Sequence, residues 1–208
     1  MSLNASDGGS RRFMLVQLPE PLDPDSKDQK IAAEYCDQLG RPRNIAELTK
    51  ERLRRAGKAI SSETPMVTCD LGFRVFKLAS SNIKTWDAEF DNVEAKLFDS
   101  ADNIKLDRSD TELLYELLLK IGLDLAVTIE KREIQGNTLY VVGTGALVIC
   151  LAAPVTLELV DGIAALKKEL QPEVMRVVFK DSSFPDDVVK TNAVQILRRA
   201  GIEDIKSL

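Results

Sequence analysis

TLYVVGTGALVICLA, residues 138–152, contains two strand-like runs joined through Gly143-Thr144-Gly145. The run Ala146 to Ala152 is apolar without alternation, the pattern of a strand covered on both faces. The run before it pairs with TIEKREI, residues 128–134, and the intervening glycine predicts a hairpin turning at Gly136-Asn137. A glycine-rich triplet can also cradle phosphate, but that geometry requires a strand, a glycine turn and then a helix N-terminus. Here the triplet lies between two strands, so it reads as a tight turn.

Toward the C-terminus, helices and strands alternate. Thr156 opens a helix over LELVDGIAALKKEL, which Pro172 prevents from continuing. VMRVVF is a second buried strand. In PDDVVKTNAVQILRRAG, Val189, Ala193, Ile196, Leu197 and Ala200 fall on one helical face, with Gly201 at the C′ position. EDIKSL reads as a short edge strand. Toward the N-terminus, Ser109 and Glu112 form a capping box for DTELLYELLLKIG. This region is expected to be an α+β domain with a mixed sheet, spanning residues 91–208.

The polar stretch around the single tryptophan, Trp86, reads as a boundary, with a short helix over Asn92 to Phe98. Residues 1–90 precede it. LGFRVFKLA, beginning at Leu71, alternates and predicts a strand to Leu78. Asn44, with Glu47 three residues on, caps a helix over NIAELTKERLRRAGKAI; Gly40 ends an earlier one. RRFMLVQLPEP, residues 11–21, contains an apolar run from Phe13 to Leu18 that predicts another buried strand, with almost nothing upstream to pair with it.

Composition narrows the chemistry. The 208 residues are 44% hydrophobic and 29% charged, ordinary for a globular protein. There is no histidine, which excludes histidine-based triads and imidazole acid–base chemistry. Cys36, Cys69 and Cys150 are odd in number and far apart, and read as reduced thiols. No segment resembles a signal peptide or a membrane span, so the expectation is a cytoplasmic protein without membrane partners. The MSL start also fits an expression leader. The net charge of −5 is uneven: Arg41 to Lys58 has a local balance of +5, leaving −10 for the remainder. Lys50, Arg54 and Lys58 lie opposite the apolar face of their helix, as either a solvated face or a phosphate-contacting one. Asp181-Ser182-Ser183 and Asp186-Asp187 suit the start of a helix better than an active site, and no metal-ligand spacing occurs.

Six segments carry a family likeness. RRFMLVQLPEP, NIAELTKERLRRAGKAI, GFRVFKLASSNIKTWD, LLYELLLKIGL, LYVVGTGALVICL and VVFKDSSFPDDVVKTNAVQILRRAGI follow one another over nearly the whole chain. Together they resemble the C-terminal portion of the modification subunit of type III restriction–modification systems, a site-specific adenine DNA methyltransferase. In that family the catalytic Asp-Pro-Pro-Tyr segment and the Phe-x-Gly-x-Gly cofactor loop come first, and the chain then passes through a sequence like LNASDGG. Neither motif occurs here, while LNASDGG stands at residues 3–9.

The resemblance implies an excised piece of a larger enzyme. Residues 1–90 would be the remainder of a doubly wound methyltransferase-like sheet, making the fold class α/β. Phe13 to Leu18 would be its second strand and Leu71 to Leu78 its edge strand. Gln17 or Glu20 would then lie where S-adenosylmethionine presents its ribose. The parent would transfer a methyl group from S-adenosylmethionine to N6 of adenine in DNA, with Lys50, Arg54 and Lys58 as candidate DNA contacts. Residues 91–208 would contact a second modification subunit, the restriction subunit or DNA. The isolated chain would be inactive; the alternative is a non-enzymatic interaction module for assembly. An opened sheet edge at Phe13 to Leu18 would drive self-association or rearrange the first ninety residues.

Overall fold

The computed structural model describes residues 1–65, 69–84, 104–105 and 107–208. Trp86 and the helix expected over Asn92 to Phe98 lie outside the described residues. Contacts group the chain into two compact units, Met1–Phe76 and Lys77–Leu208.

In the N-terminal unit, α1 (Ser2–Asp7), α2 (Lys30–Gln38) and α3 (Ile45–Glu63) are the described helices. Leu22, Ala33 and Cys36 are buried, with Ala32, Ile45 and Leu48 packed against them. α3 starts where the sequence indicates: the Asn44 side chain accepts from the Glu47 N–H at 2.9 Å. The Pro-rich loop is tied to this helix start. Leu22 N–H donates to the Arg43 carbonyl at 2.9 Å and Ile45 N–H to the Glu20 carbonyl at 3.1 Å.

The C-terminal unit is built on one five-stranded mixed sheet in the order β1-β2-β3-β4-β5. The strands are β1 (Ile129–Ile134), β2 (Asn137–Val142), β3 (Leu147–Cys150), β4 (Arg176–Phe179) and β5 (Asp204–Ser207). β1, β2 and β3 form an antiparallel meander; β3, β4 and β5 are parallel. Helices cover both faces: α4 (Asp110–Ile121) on one, α5 (Leu157–Leu170) and α6 (Asp187–Arg199) on the other.

Strand alternation distributes the side chains between the two faces. Tyr140, Val142, Leu147, Ile149 and Val178 meet Leu114, Leu117 and Leu118 of α4. Leu139, Val141, Val148, Cys150, Val177 and Phe179 meet Leu159, Ile163, Ala193 and Leu197 of α5 and α6. Both faces are apolar, which is why the strands read as continuous apolar runs. Burial pushes the Cys150 thiol up to about 11, so it stays protonated and packs as a small hydrophobe.

Local chemistry sets the boundaries. The Ser109–Glu112 capping box is formed, and Gly122 closes α4 at φ 81°. Thr156 and Asp186 cap α5 and α6 by accepting from the Leu159 and Val189 N–H groups. Gly201 sits at φ 81° after α6. One turn is displaced by a residue from its expected position. Ile134 pairs with Asn137, so the hairpin turns at Gln135-Gly136, with φ 51° and 73°, and Asn137 already belongs to β2. Gly143–Gly145 is a tight turn linking antiparallel β2 to β3, with φ of 58°, 57° and 100° at its three residues.

The N-terminal half of the expected fold requires correction. Phe13 to Leu18 and Leu71 to Leu78 form no strand, and Phe13 to Leu18 is exposed throughout. A strand is held by ladder bonds and cross-strand contacts, and an isolated one is unstable in water. Neither segment has a neighbouring strand among the described residues, so no methyltransferase-like sheet is seen among them. The structure supports the α/β class through the C-terminal sheet alone.

Candidate functional site

Lys50, Arg54 and Lys58 lie along α3, and the structure treats them differently. Lys50 donates to Glu47 one turn earlier, and both side chains are mostly covered. That contact holds the Glu47 carboxyl below its usual range, with burial opposing the shift. The charge of Lys50 is thus matched within the helix.

Arg54 and Lys58 instead line an open groove of about 560 Å³ with Leu53, Gly57, Leu71, Gly72, Phe73 and Val75. Its second wall is the extended segment from Leu71, which reaches α3 at Gly57. A Cβ built on Gly57 would be 3.6 Å from the Leu71 carbonyl oxygen, ordinary contact. An apolar floor with a guanidinium and an ammonium at its rim suits a ligand that is anionic on one side and apolar on the other. Arg54 is only loosely held by Glu51, at 3.6 Å. Arg55 takes the better position on that carboxylate, at 2.9 Å, and its hydrogen bond is the main reason the Glu51 carboxyl is lowered.

A second groove on the same helix, about 530 Å³, is lined by Tyr35, Leu48, Glu51, Arg52, Arg55, Ala56 and Ala59. The Arg55 guanidinium lies 5.0 Å from the Tyr35 ring centroid, a cation–π contact joining α2 to α3. Helix periodicity exposes neither that contact nor the groove wall at Leu71 to Val75, because both are made between segments distant in sequence.

Gln17 and Glu20 lie on the exposed segment before the Pro-rich loop. Gln17 Nε2 donates to the carbonyl of its neighbour Leu18 at 3.2 Å. Glu20 acts through its backbone, accepting from Ile45, while its residue is exposed. Among the described residues, no hydrogen bond or ion pair joins either one to Lys50, Arg54 or Lys58. Neither groove on α3 is lined by Gln17 or Glu20.

In the C-terminal unit, Glu116 and Asp181 join segments of the fold. Glu116 on α4 accepts from Ser81 Oγ at 2.5 Å and Asn82 N–H at 2.6 Å, and pairs with Lys120 at 3.0 Å. Burial raises its pKa, but the Ser81, Asn82 and Lys120 interactions outweigh that and hold it at about 2. Asp181 accepts from Lys190 at 2.5 Å where the chain enters α6. No group of three or more potential metal ligands occurs among the described residues, and no described helix is long and apolar enough to cross a membrane.

No family model matches the chain. A stretch of 87 residues is 29% identical to the type III restriction-modification enzyme StyLTI Mod subunit of Salmonella typhimurium strain LT2. The aligned stretch makes up 42% of this chain but 12% of that protein, so the match spans a small part of the relative's length. Over that stretch the chain is similar to part of a restriction–modification Mod subunit.

Proposed function

We propose that the chain is a non-catalytic part of an adenine-specific DNA methyltransferase of the type III restriction–modification class. The observation that carries this reading is the similarity to the StyLTI Mod subunit. In the whole protein, S-adenosylmethionine would supply the methyl group, N6 of adenine would receive it, and DNA and a restriction subunit would be the partners. Within this chain, the Arg54–Lys58 groove is the candidate contact for the DNA backbone, because two cations beside an apolar floor can hold a phosphate against a sugar. The unit Lys77–Leu208, with its covered sheet, is the candidate surface for a second Mod subunit or the restriction subunit.

Incubating the chain with radiolabelled S-adenosylmethionine and mixed-sequence duplex DNA should give no methyl incorporation. Incorporation above background would overturn the non-catalytic assignment. Fluorescence anisotropy with a labelled duplex should detect weak binding that falls with salt. Arg54→Ala with Lys58→Ala should reduce the slope of log K against log salt by ~2, about one unit for each lost phosphate contact.

The alternative, a module that docks proteins without touching DNA, is favoured by one observation: the described residues of the Lys77–Leu208 unit form a sheet covered on both faces by helices. Salt-independent anisotropy equal to that of the double variant would select this alternative.

A further inference from the structure

Ser80 and Ser81 are adjacent and exposed, yet their hydroxyls meet opposite charges. Ser80 Oγ accepts from Lys105 Nζ at 3.2 Å and from Arg108 Nη2 at 3.3 Å. Ser81 Oγ donates to the Glu116 carboxylate at 2.5 Å. Just beyond this pair the chain is tied down. Asn82 N–H donates to Glu116 at 2.6 Å and Asn82 Nδ2 to the Glu112 carbonyl at 3.1 Å, both on α4. Lys105 N–H donates to the Asn82 carbonyl at 2.9 Å, and Ile83 bridges Ile104. The two cations on Ser80 are short of negative charge. Among the described residues, Lys105 Nζ has Ser80 Oγ as its hydrogen-bond acceptor and no carboxylate as an ion-pair partner. Arg108 approaches Asp107 and Glu112 only at 3.5 and 3.9 Å, and its Nε is buried without a hydrogen-bond partner. One neutral hydroxyl oxygen is thus shared between two like charges.

We infer that Ser80 is a phosphorylation site, at which a phosphoryl group on Oγ sits between Lys105 and Arg108 and clamps the segment Ser80 to Ile83 to the start of α4. Phosphoserine is close to a dianion at neutral pH and has oxygens enough to take a charge-assisted hydrogen bond from each cation. Attachment decides the form of the anion. A free phosphate ion has to be drawn from solution past the carboxylates of Asp107 and Glu112, whereas one held on Ser80 Oγ is already concentrated beside the cations. Ser81 gives the opposite case: a phosphoryl group there removes the donor to Glu116 and sets like charges together. Lys77, three residues before Ser80, supplies a cation of the kind that kinases use to select a substrate. The transfer needs a kinase and a nucleoside triphosphate from outside this chain. The kinase's base takes the Ser80 hydroxyl proton and Oγ bonds to the γ-phosphorus. The bond from that phosphorus to the β,γ-bridging oxygen breaks, and a nucleoside diphosphate leaves.

The 208-residue chain with genetically encoded phosphoserine at position 80 should exchange its Asn82 and Lys105 amide hydrogens roughly tenfold more slowly than the unmodified chain. The same group at position 81 should speed that exchange by a similar factor. Lys105→Gln, which breaks no ion pair, should remove most of the slowing. For the acceptor itself, the unmodified chain is incubated with ATP and a serine kinase that selects a basic residue three positions before its target. Peptide mass spectrometry should place phosphate on Ser80 and not on Ser81, and Ser80→Ala should abolish it. Equal exchange in the two phosphorylated chains, slowing that survives Lys105→Gln, or a Ser80 left unmodified by the kinase would each overturn the inference.

Discussion

Leu147–Cys150 and Phe13–Val16 are apolar tetrapeptides of similar character, LVIC and FMLV, with opposite fates. The first lies at the centre of the five-stranded sheet, with every residue buried. The second has no strand partner among the described residues, and every residue is exposed. The difference lies in their neighbours. β3 has β2 on one edge and β4 on the other, with α4 below and α5 and α6 above. An apolar run states a demand for burial, and the rest of the chain decides whether that demand is met.

The widest gap between the two regions should appear when side chains are truncated. Phe179→Ala, which removes a fully buried ring beside β3 and its 5.2 Å contact with Phe184, should cost about 3–5 kcal/mol in urea unfolding. Val16→Ala should change the unfolding of the monomeric chain by less than about 0.5 kcal/mol. Comparable losses from both would erase the contrast.

A smaller effect tests how tightly the helices are set on the sheet. A Cβ built on Gly162 of α5 would come within 2.3 Å of Ile134 Cγ2 on β1. Gly162→Ala should therefore destabilise by about 1–3 kcal/mol, despite the better helix propensity of alanine. Adding Ile134→Ala, which deletes the clashing methyl, should recover part of that loss. A neutral or stabilising Gly162→Ala would show that β1 and α5 sit further apart.

Glu116 supplies a pH-dependent comparison. Its folded pKa of about 2 lies below the ordinary carboxylate value of 4.5. The stability it confers is therefore fully present above about pH 4.5 and is lost as pH falls toward 2. Glu116→Gln should lower stability at neutral pH by about 1–3 kcal/mol, through the Ser81 and Asn82 hydrogen bonds it weakens. It should also flatten the loss between pH 4.5 and 2 relative to the parent chain. Parallel acid-unfolding curves would refute this role.

The smallest effects should come from the helix caps, one in each unit. Ser109→Ala removes half of a capping box, and Asn44→Ala removes the single bond to Glu47. Each should cost about 1 kcal/mol. Hydrogen exchange can assign the losses to α4 and α3 separately.

What could be read from the sequence follows the range of the interactions concerned. The caps at Asn44, Ser109, Thr156 and Asp186 and the stop at Gly201 are decided within a few residues, and each forms in the structure. The hairpin was legible to within one residue, because QGN admits two placements of a two-residue turn and only the register with β1 chooses between them. The candidate site was harder to read. Lys50, Arg54 and Lys58 share a helix face by periodicity, but only packing shows that Lys50 is taken up by Glu47 while Arg54 and Lys58 border a groove.

The sequence by itself determined the helices, their ends and the apolar strands of the C-terminal unit, because propensity, capping and periodicity act over one or two turns of chain. It also excluded histidine chemistry outright. Only the tertiary structure decided which apolar runs become strands. A ladder needs a second strand, and that partner is supplied from elsewhere in the fold. For this reason Leu147–Cys150 is core and Phe13–Leu18 is surface.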